Sequence, residues 1–388
     1  MELLPASGLG LKVGDRLEVA IVDRSGQVLL QKGKHLPGEA VLERLNERGF
    51  YREPVEVAPP SPSARFESDV QRASTTEGRL ALLVSQVDRL LRSVVRPPSV
   101  MTWTDLEGVV RWLDDLFIRD PDQVIGVQQL LAQSHTLSER VLHAAAVTKL
   151  LALSEGLPTE QHYSLIAAAL TLDVAVVEDH DDLATHRGEL LEHHRQIVAG
   201  HPARAVELLR AIGIEDEVWL TAVAMHHERF DGSGYPHGLS GDAIPIGARI
   251  VALADAFTAM TRPRGDRAAY LARDALRELF AQHAGKFDPR LVQVLVKQLG
   301  VYPPGTIVKL ANGEVAVCVR RTSDARKPVL RAVIDPAGQP YATPKRRDPD
   351  ETATRIVEVL PGDRNRGIRS LILQLWKKDL DLTGGMAG

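Results

Sequence analysis

The 388-residue chain contains 13 histidines, and 11 of them fall between His135 and His237. Neutral imidazole is a good ligand for first-row transition metals, so this concentration points first to metal chemistry. The densest run is Met225-His226-His227-Glu228-Arg229-Phe230-Asp231-Gly232-Ser233-Gly234-Tyr235-Pro236. Adjacent side chains on a helix diverge by ~100°, so His226 and His227 can serve one site only at a helix end or across a wide cavity. Gly232 and Gly234 let the following backbone turn tightly and approach a ligand. A histidine pair alone is more often a surface or core feature than a ligand pair. By the same reasoning His180, His186, His193 and His194 are expected on solvated surfaces.

Helices must carry most of these residues. Leu80, Leu83, Val84, Val87, Leu90 and Leu91 repeat with a 3.6-residue period, and Val109, Leu113, Leu116 and Phe117 form a second apolar stripe. Further helices are predicted at about 135–155, 160–177, 186–212, 215–228, 245–262, 271–284 and 288–299. Before them, alternation around Leu17, Val19 and Ile21, a turn at Ser25-Gly26, Val28–Leu30 and a short helix from Pro37 to Gly49 predict a small β-rich unit. Pro54, Pro59, Pro60 and Pro62 then read as a stiff linker. After Tyr302-Pro303-Pro304-Gly305, strands are predicted at Ile307–Leu310, Val315–Val319 and Val329–Ile334, with Asn312-Gly313 suited to a type I′ turn. Lys345-Arg346-Arg347 reads as a solvated loop, and the glycine-bearing tail from Leu380 as frayed. The fold class is mainly α, a helical bundle with a small β-rich N-terminal domain and a C-terminal β extension. Its expected divisions are 1–53, a linker at 54–66, a helical connecting region at 67–134, the helical domain at 135–301 and the extension with its tail at 302–388.

Composition narrows the function. Lys and Arg total 47 against 51 Asp and Glu, a net charge of −4, which disfavours binding to a nucleic-acid polymer or an anionic membrane. Only 4% of residues are aromatic, too few for a broad base-stacking surface. No apolar run reaches ~18 residues, the N-terminus lacks signal-peptide character, and the single Cys318 suits a reducing compartment. A cytoplasmic location is expected.

The His226–Pro236 run resembles the signature of the HD-GYP family. The resemblance continues through Leu239-Ser240-Gly241, Ile244-Pro245, the Ala248–Thr261 segment that carries Asp255, Gly285-Lys286-Phe287-Asp288-Pro289 and Tyr302-Pro303-Pro304-Gly305, with His201-Pro202 upstream. It spans roughly residues 135–335 and is most specific from His201 to Pro289. It implies an all-helical HD-domain bundle with a two- or three-metal site, often iron or manganese, that hydrolyses cyclic di-GMP. On this sequence it implies Asp173, His201, His226, His227 and Asp255 as metal ligands, Asp173 also as a catalytic group, and Arg229, Gly232, Gly234, Tyr235 and Pro236 as the substrate-binding loop. Cyclic di-GMP or a related cyclic dinucleotide is the implied ligand, and the Gly-Tyr-Pro loop also suits a signalling-protein partner.

The sequence departs from that pattern on one side of the site. The histidine of the family's His-Asp pair is Leu172, its lysine is Val176, and the early histidine ligand falls at Arg140. One metal position therefore keeps Asp173, His201, His226 and His227, while its neighbour keeps only Asp173 and Asp255. Arg140 is expected to place its guanidinium near those two carboxylates as a substitute charge. The expectation is one divalent ion instead of two, with hydrolysis reduced or absent. The alternatives are that Arg140 lies on the surface, or that His143, His180 or His186 rebuilds the site for an active phosphodiesterase. The N-terminal unit carries no evident ligand motif.

Overall fold

A computed structural model describes residues 4–17, 20–25, 27–31, 33–51, 69–73, 75–95, 103–131, 136–263, 268–281, 285–361 and 375–376. The chain forms two compact units, Met1–Ser61 and Pro62–Gly388. The expected Pro-rich linker, the Pro97-Pro98 break and the tail from Leu380 lie outside the described residues, as do Val19, Gly26 and His135.

In the first unit, β1 (Leu4–Pro5), β2 (Ile21–Val22), β3 (Val28–Leu30) and β4 (Phe50–Tyr51) form an antiparallel sheet in the order β1-β4-β2-β3. Helix α1 (Glu39–Arg48) precedes β4. Ala6, Leu17, Ile21, Leu36 and Leu45 make its core.

The second unit is a helical bundle followed by a sheet. Helices α2 (Thr76–Val95), α3 (Trp103–Arg119) and α4 (Pro121–Leu131) lead to α5 (Leu137–Ser154) and α6 (Thr159–Thr171). Both predicted stripes face inward: Leu80, Leu83, Val87, Leu90 and Leu91 are buried, as are Val109, Leu113, Leu116 and Phe117. Helix α5 is buried on nearly every side, and Ala144–Ala146 with Ala167–Ala169 of α6 keep that centre narrow.

The helix expected over 160–177 stops at Thr171. The backbone leaves helical geometry at Asp173 (φ −107°, ψ 18°) and enters a single 3₁₀ turn at Val174–Val176. This break sets Asp173 apart from the apolar faces of α6. The helix expected from 186 begins at Glu192. A short α7 (His180–Thr185) comes first, and a turn in which the His186 ring meets the Glu189 carbonyl (3.0 Å) separates it from α8 (Glu192–Ala211). Helices α9 (Glu217–Met225), α10 (Ile246–Met260), α11 (Ala272–Ala281) and α12 (Pro289–Leu299) complete the bundle. Asp288 caps α12 by accepting from the Arg290 amide at 2.9 Å. No helix among the described residues is long and apolar enough to cross a membrane.

Strands β5 (Ile307–Leu310), β6 (Val315–Arg320), β7 (Val329–Ile334), β8 (Pro340–Arg347) and β9 (Ile356–Leu360) form an antiparallel sheet ordered β8-β7-β6-β5-β9. Two expectations are corrected here. A type I′ turn needs positive φ at both central residues, yet only Gly313 has it (φ 90°). Asn312 instead accepts the Glu314 amide at 3.0 Å, closing a longer loop. Lys345–Arg347 is not a loop but the end of edge strand β8, where prolines are tolerated. Arg347 anchors it by donating through Nε and Nη2 to Glu314 at 2.6 Å each, which holds the Glu314 carboxyl down to about 2. The sheet is tied to α4: Arg320 pairs with Asp120 at 2.8 Å, Arg321 pairs with Asp122, and Trp376 lies against Gly126.

Candidate metal centre

Four elements deliver the central residues. The break after α6 supplies Asp173, α8 supplies His201, the end of α9 supplies His226 and His227, and α10 supplies Asp255. Helix α9 ends at Met225, so the histidine pair occupies the helix-end position that lets neighbouring side chains converge. Ring nitrogens of His201, His226 and His227 lie within 4.8 Å of one another. His201 Nε2 is 3.1 Å from Asp173 Oδ1, and His226 Nε2 is 4.0 Å from the same oxygen.

The tautomers follow from the outer contacts. His201 Nδ1 lies 2.7 Å from the Val198 carbonyl, and His226 Nδ1 lies 2.7 Å from the Val223 carbonyl. A carbonyl only accepts, so each Nδ1 carries the proton and each Nε2 presents a lone pair. Those two Nε2 atoms face each other at 3.1 Å. Two lone pairs at that distance repel unless a cation lies between or beside them, so the residues present fit a metal ion. Burial pushes the His226 imidazole down to about 3, and lowers His201 and His227 as well. All three are therefore neutral, ligand-competent imidazoles near pH 7.

Arg140 on α5 reaches the other side of the site. Its guanidinium pairs with both Asp173 and Asp255, and the three side chains are only 12–13% exposed. The cation stands between two largely buried carboxylates. Farther along the wall, buried Arg262 donates to the Glu139 carbonyl at 3.0 Å. Burial lowers this guanidinium to about 10.

Arg140, Asp173, His201, His227, Asp255 and Arg262 line a cavity of about 250 Å³ with mainly apolar walls that include Val176, Leu183, Ala184, Leu190 and Val198. His180 also lines it, whereas His143 and His186 do not. Nor do Arg229, Gly232, Gly234, Tyr235 or Pro236. The structure gives that loop a supporting position. The Tyr235 ring stacks on His227 with centroids 4.7 Å apart, and the Tyr235–Pro236 bond is cis. Arg229 packs over Phe287 and donates to the His226 carbonyl at 3.2 Å. Sequence reasoning missed Glu228, whose buried carboxylate accepts the His237 and Leu239 amides at 2.7 and 3.0 Å. Its place directly after the histidine pair was the available signal.

Gly234 permits the close fold of this loop. A β-carbon there would lie 2.3 Å from the Arg229 amide nitrogen and 2.5 Å from the His227 carbonyl oxygen, both main-chain atoms. Gly234→Ala is therefore expected to shift the loop and weaken Mn(II) binding at least about 10-fold, as displaced supporting groups do. Manganese titration of the folded variant checks this.

His143 lies one turn along α5 from Arg140 and is fully buried, with neither ring nitrogen hydrogen-bonded. Burial holds it down to about 3, with Arg262 adding to the effect. In the unfolded chain a histidine titrates near ~6.5. Between these values the unfolded state binds the extra proton, so stability falls as pH drops. The urea midpoint of metal-free protein is expected to be lower at pH 5 than at pH 7, and His143→Leu should flatten that fall. The expectation that His193 and His194 are both solvated needs correction: His193 is exposed, but His194 is buried against Asp182. His180 and His186 are partly buried.

The HD domain family matches residues 126–291. The chain is 38% identical over 162 residues to the cyclic di-GMP phosphodiesterase response regulator RpfG of Xanthomonas campestris pv. campestris, covering 41% of this chain and 42% of that protein. It is 26% identical over 268 residues to the cyclic di-GMP phosphodiesterase PA4108 of Pseudomonas aeruginosa, covering 68% and 63%. It is 32% identical over 220 residues to the 3'3'-cGAMP-specific phosphodiesterase 2 of Vibrio cholerae, covering 55% and 41%. The chain thus spans 41–63% of the length of these relatives.

Proposed function

With residues 126–291 carrying an HD domain of the HD-GYP kind, we propose that the protein serves cyclic dinucleotide signalling through a metal centre reduced to one ion, with hydrolysis diminished or absent. The pairing of Arg140 with both Asp173 and Asp255 carries this reading. A guanidinium neutralises buried carboxylates, but it is not a Lewis acid and has no water to activate. His201, His226, His227 and Asp173 remain to hold one divalent ion, iron or manganese. When bound, that ion would supply charge neutralisation and a more acidic water, the chemistry of metal-assisted phosphodiester hydrolysis. Around it, this chain's residues hold neutral imidazoles in fixed tautomers and pair Asp255 with Arg140. Val176 presents hydrocarbon to the cavity where a lysine would have met phosphate.

The ligand in this reading is cyclic di-GMP or a close relative such as 3'3'-cGAMP, the compounds in the relatives' names. In this reading Arg229, Gly232, Gly234, Tyr235 and Pro236 act from behind the histidine pair, with Tyr235 stacked on His227 and Arg229 donating to the His226 carbonyl. The Gly-Tyr-Pro loop, with Ser233 and Pro236 exposed, would also serve contact with a signalling protein in the cytoplasm. The second reading, an active phosphodiesterase with compensated ligands, draws on His180 in the cavity wall.

The test is metal content and cyclic dinucleotide hydrolysis of full-length protein loaded anaerobically with Fe(II) or Mn(II), beside His226→Ala. The expected result is about one ion per chain, as a four-ligand set allows, and turnover little above that of His226→Ala. Two ions with turnover that depends on His226 would favour the second reading.

A further inference from the structure

A second group of metal-ligating side chains lies outside the centre described above. Asp182 of α7 and His193 and His194 of α8 bring one ligand atom each to within 4.8 Å of the others. His194 Nε2 is 2.9 Å from Asp182 Oδ2, and the His193 and His194 ring centroids are 4.0 Å apart. The His186 ring meets the edge of His194 at 4.9 Å. His194 is 2% exposed, and its Nδ1 has no hydrogen-bond partner. Residues 178–182 read Glu-Asp-His-Asp-Asp, four carboxylates in five positions, so the local potential favours a cation.

From this juxtaposition we infer that Asp182, His193 and His194 form a second divalent-metal site, suited by its two imidazoles and one carboxylate to Zn²⁺, which clamps α7 to the start of α8. Three protein ligands with an open fourth position are a common zinc arrangement. Tetrahedral bonds of ~2.0–2.1 Å place ligand atoms ~3.3 Å apart, so the ion takes the place of the proton now shared across 2.9 Å. Binding releases protons accordingly. The clamp has a consequence for the cavity. Its wall takes His180, Leu183 and Ala184 from α7 and Leu190 from the connecting turn. Zinc would therefore hold one wall of the central cavity in place, whether or not that cavity hydrolyses a cyclic dinucleotide.

The experiment is Zn²⁺ titration of the full chain against a chromophoric chelator, in wild type, His193→Ala, Asp182→Asn and His227→Ala. Two classes of site are expected. His193→Ala and Asp182→Asn each weaken one class at least about 10-fold and leave the other, and His227→Ala does the reverse. His193 and Asp182 are both exposed, so these substitutions leave the core intact. Tryptic cleavage after exposed Arg187 reads the clamp independently. Zinc at ten times its dissociation constant slows it about 10-fold in wild type and His227→Ala, but not in His193→Ala. A single class of zinc site, or zinc binding and cleavage indifferent to His193→Ala, overturns the proposal.

Discussion

Arg140→Ala is expected to destabilise the metal-free protein by about 3–5 kcal/mol, the range for removing one partner of a buried ion pair. Asp173 and Asp255 would then face each other's charge with little water to screen it. Their side chains are only 12% and 13% exposed. Urea unfolding in the presence of a chelator measures the loss. Saturating Mn(II) should stabilise the variant more than wild type, by about 2.7 kcal/mol for a further ion held at one hundred times its dissociation constant, because the vacated position would accept a cation. Arg140→Lys should fall between the two, keeping the charge but losing the two-pronged geometry. Equal stability of wild type and Arg140→Ala under chelation would show that the guanidinium does not neutralise the pair.

Rebuilding the depleted side should have the largest effect on activity. The triple substitution Arg140→His, Leu172→His and Val176→Lys is expected to raise bound metal from about one to about two ions per chain. It should also raise cyclic di-GMP hydrolysis about 100-fold, the order that one well-placed electrostatic stabiliser supplies. Leu172 is fully buried within the main core. Leu172→His alone should therefore cost about 1–3 kcal/mol in stability, and give little activity while Arg140 remains. Metal analysis and a nucleotide assay on the same preparations decide the matter. Unchanged metal content in the triple variant would count against a missing second position.

Much of this arrangement was legible before any coordinates. The bundle was readable because its stripes are strictly periodic, and Ile307–Leu310 and Val329–Ile334 because β-branched runs between turn residues have few other solutions. The meeting of His201, His226 and His227 was legible through the resemblance of the His226–Pro236 run to the HD-GYP signature, and His226-His227 stands at a helix end, where adjacent side chains can converge. Strands β8 and β9 were not: Pro340–Arg347 is polar and proline-bearing, and its pairing depends on Arg347 meeting Glu314, a contact 33 residues away in sequence. The end of α6 was missed for a related reason. Ile166–Val177 is almost continuously apolar, so its pattern hides the turn at Asp173 that the site requires. His194 was misjudged because burial beside Asp182 comes from the packing of α7 on α8, and neither helix announces it.

The seam between the sheet and α4 bears on how this protein could be reassembled by evolution. Asp120 and Asp122 find their cationic partners on β6 and just beyond it, and Trp376 covers Gly126. A recombination event that copied only the recognisable stretch, residues 126–291, would cut α4 in two, leave Asp120 and Asp122 behind and strip Gly126 of its Trp376 cover. The heritable cassette is therefore wider than its signature. The helices before the signature and the strands after it must move together, and crossovers that respect this seam are the ones expected to yield viable fusions.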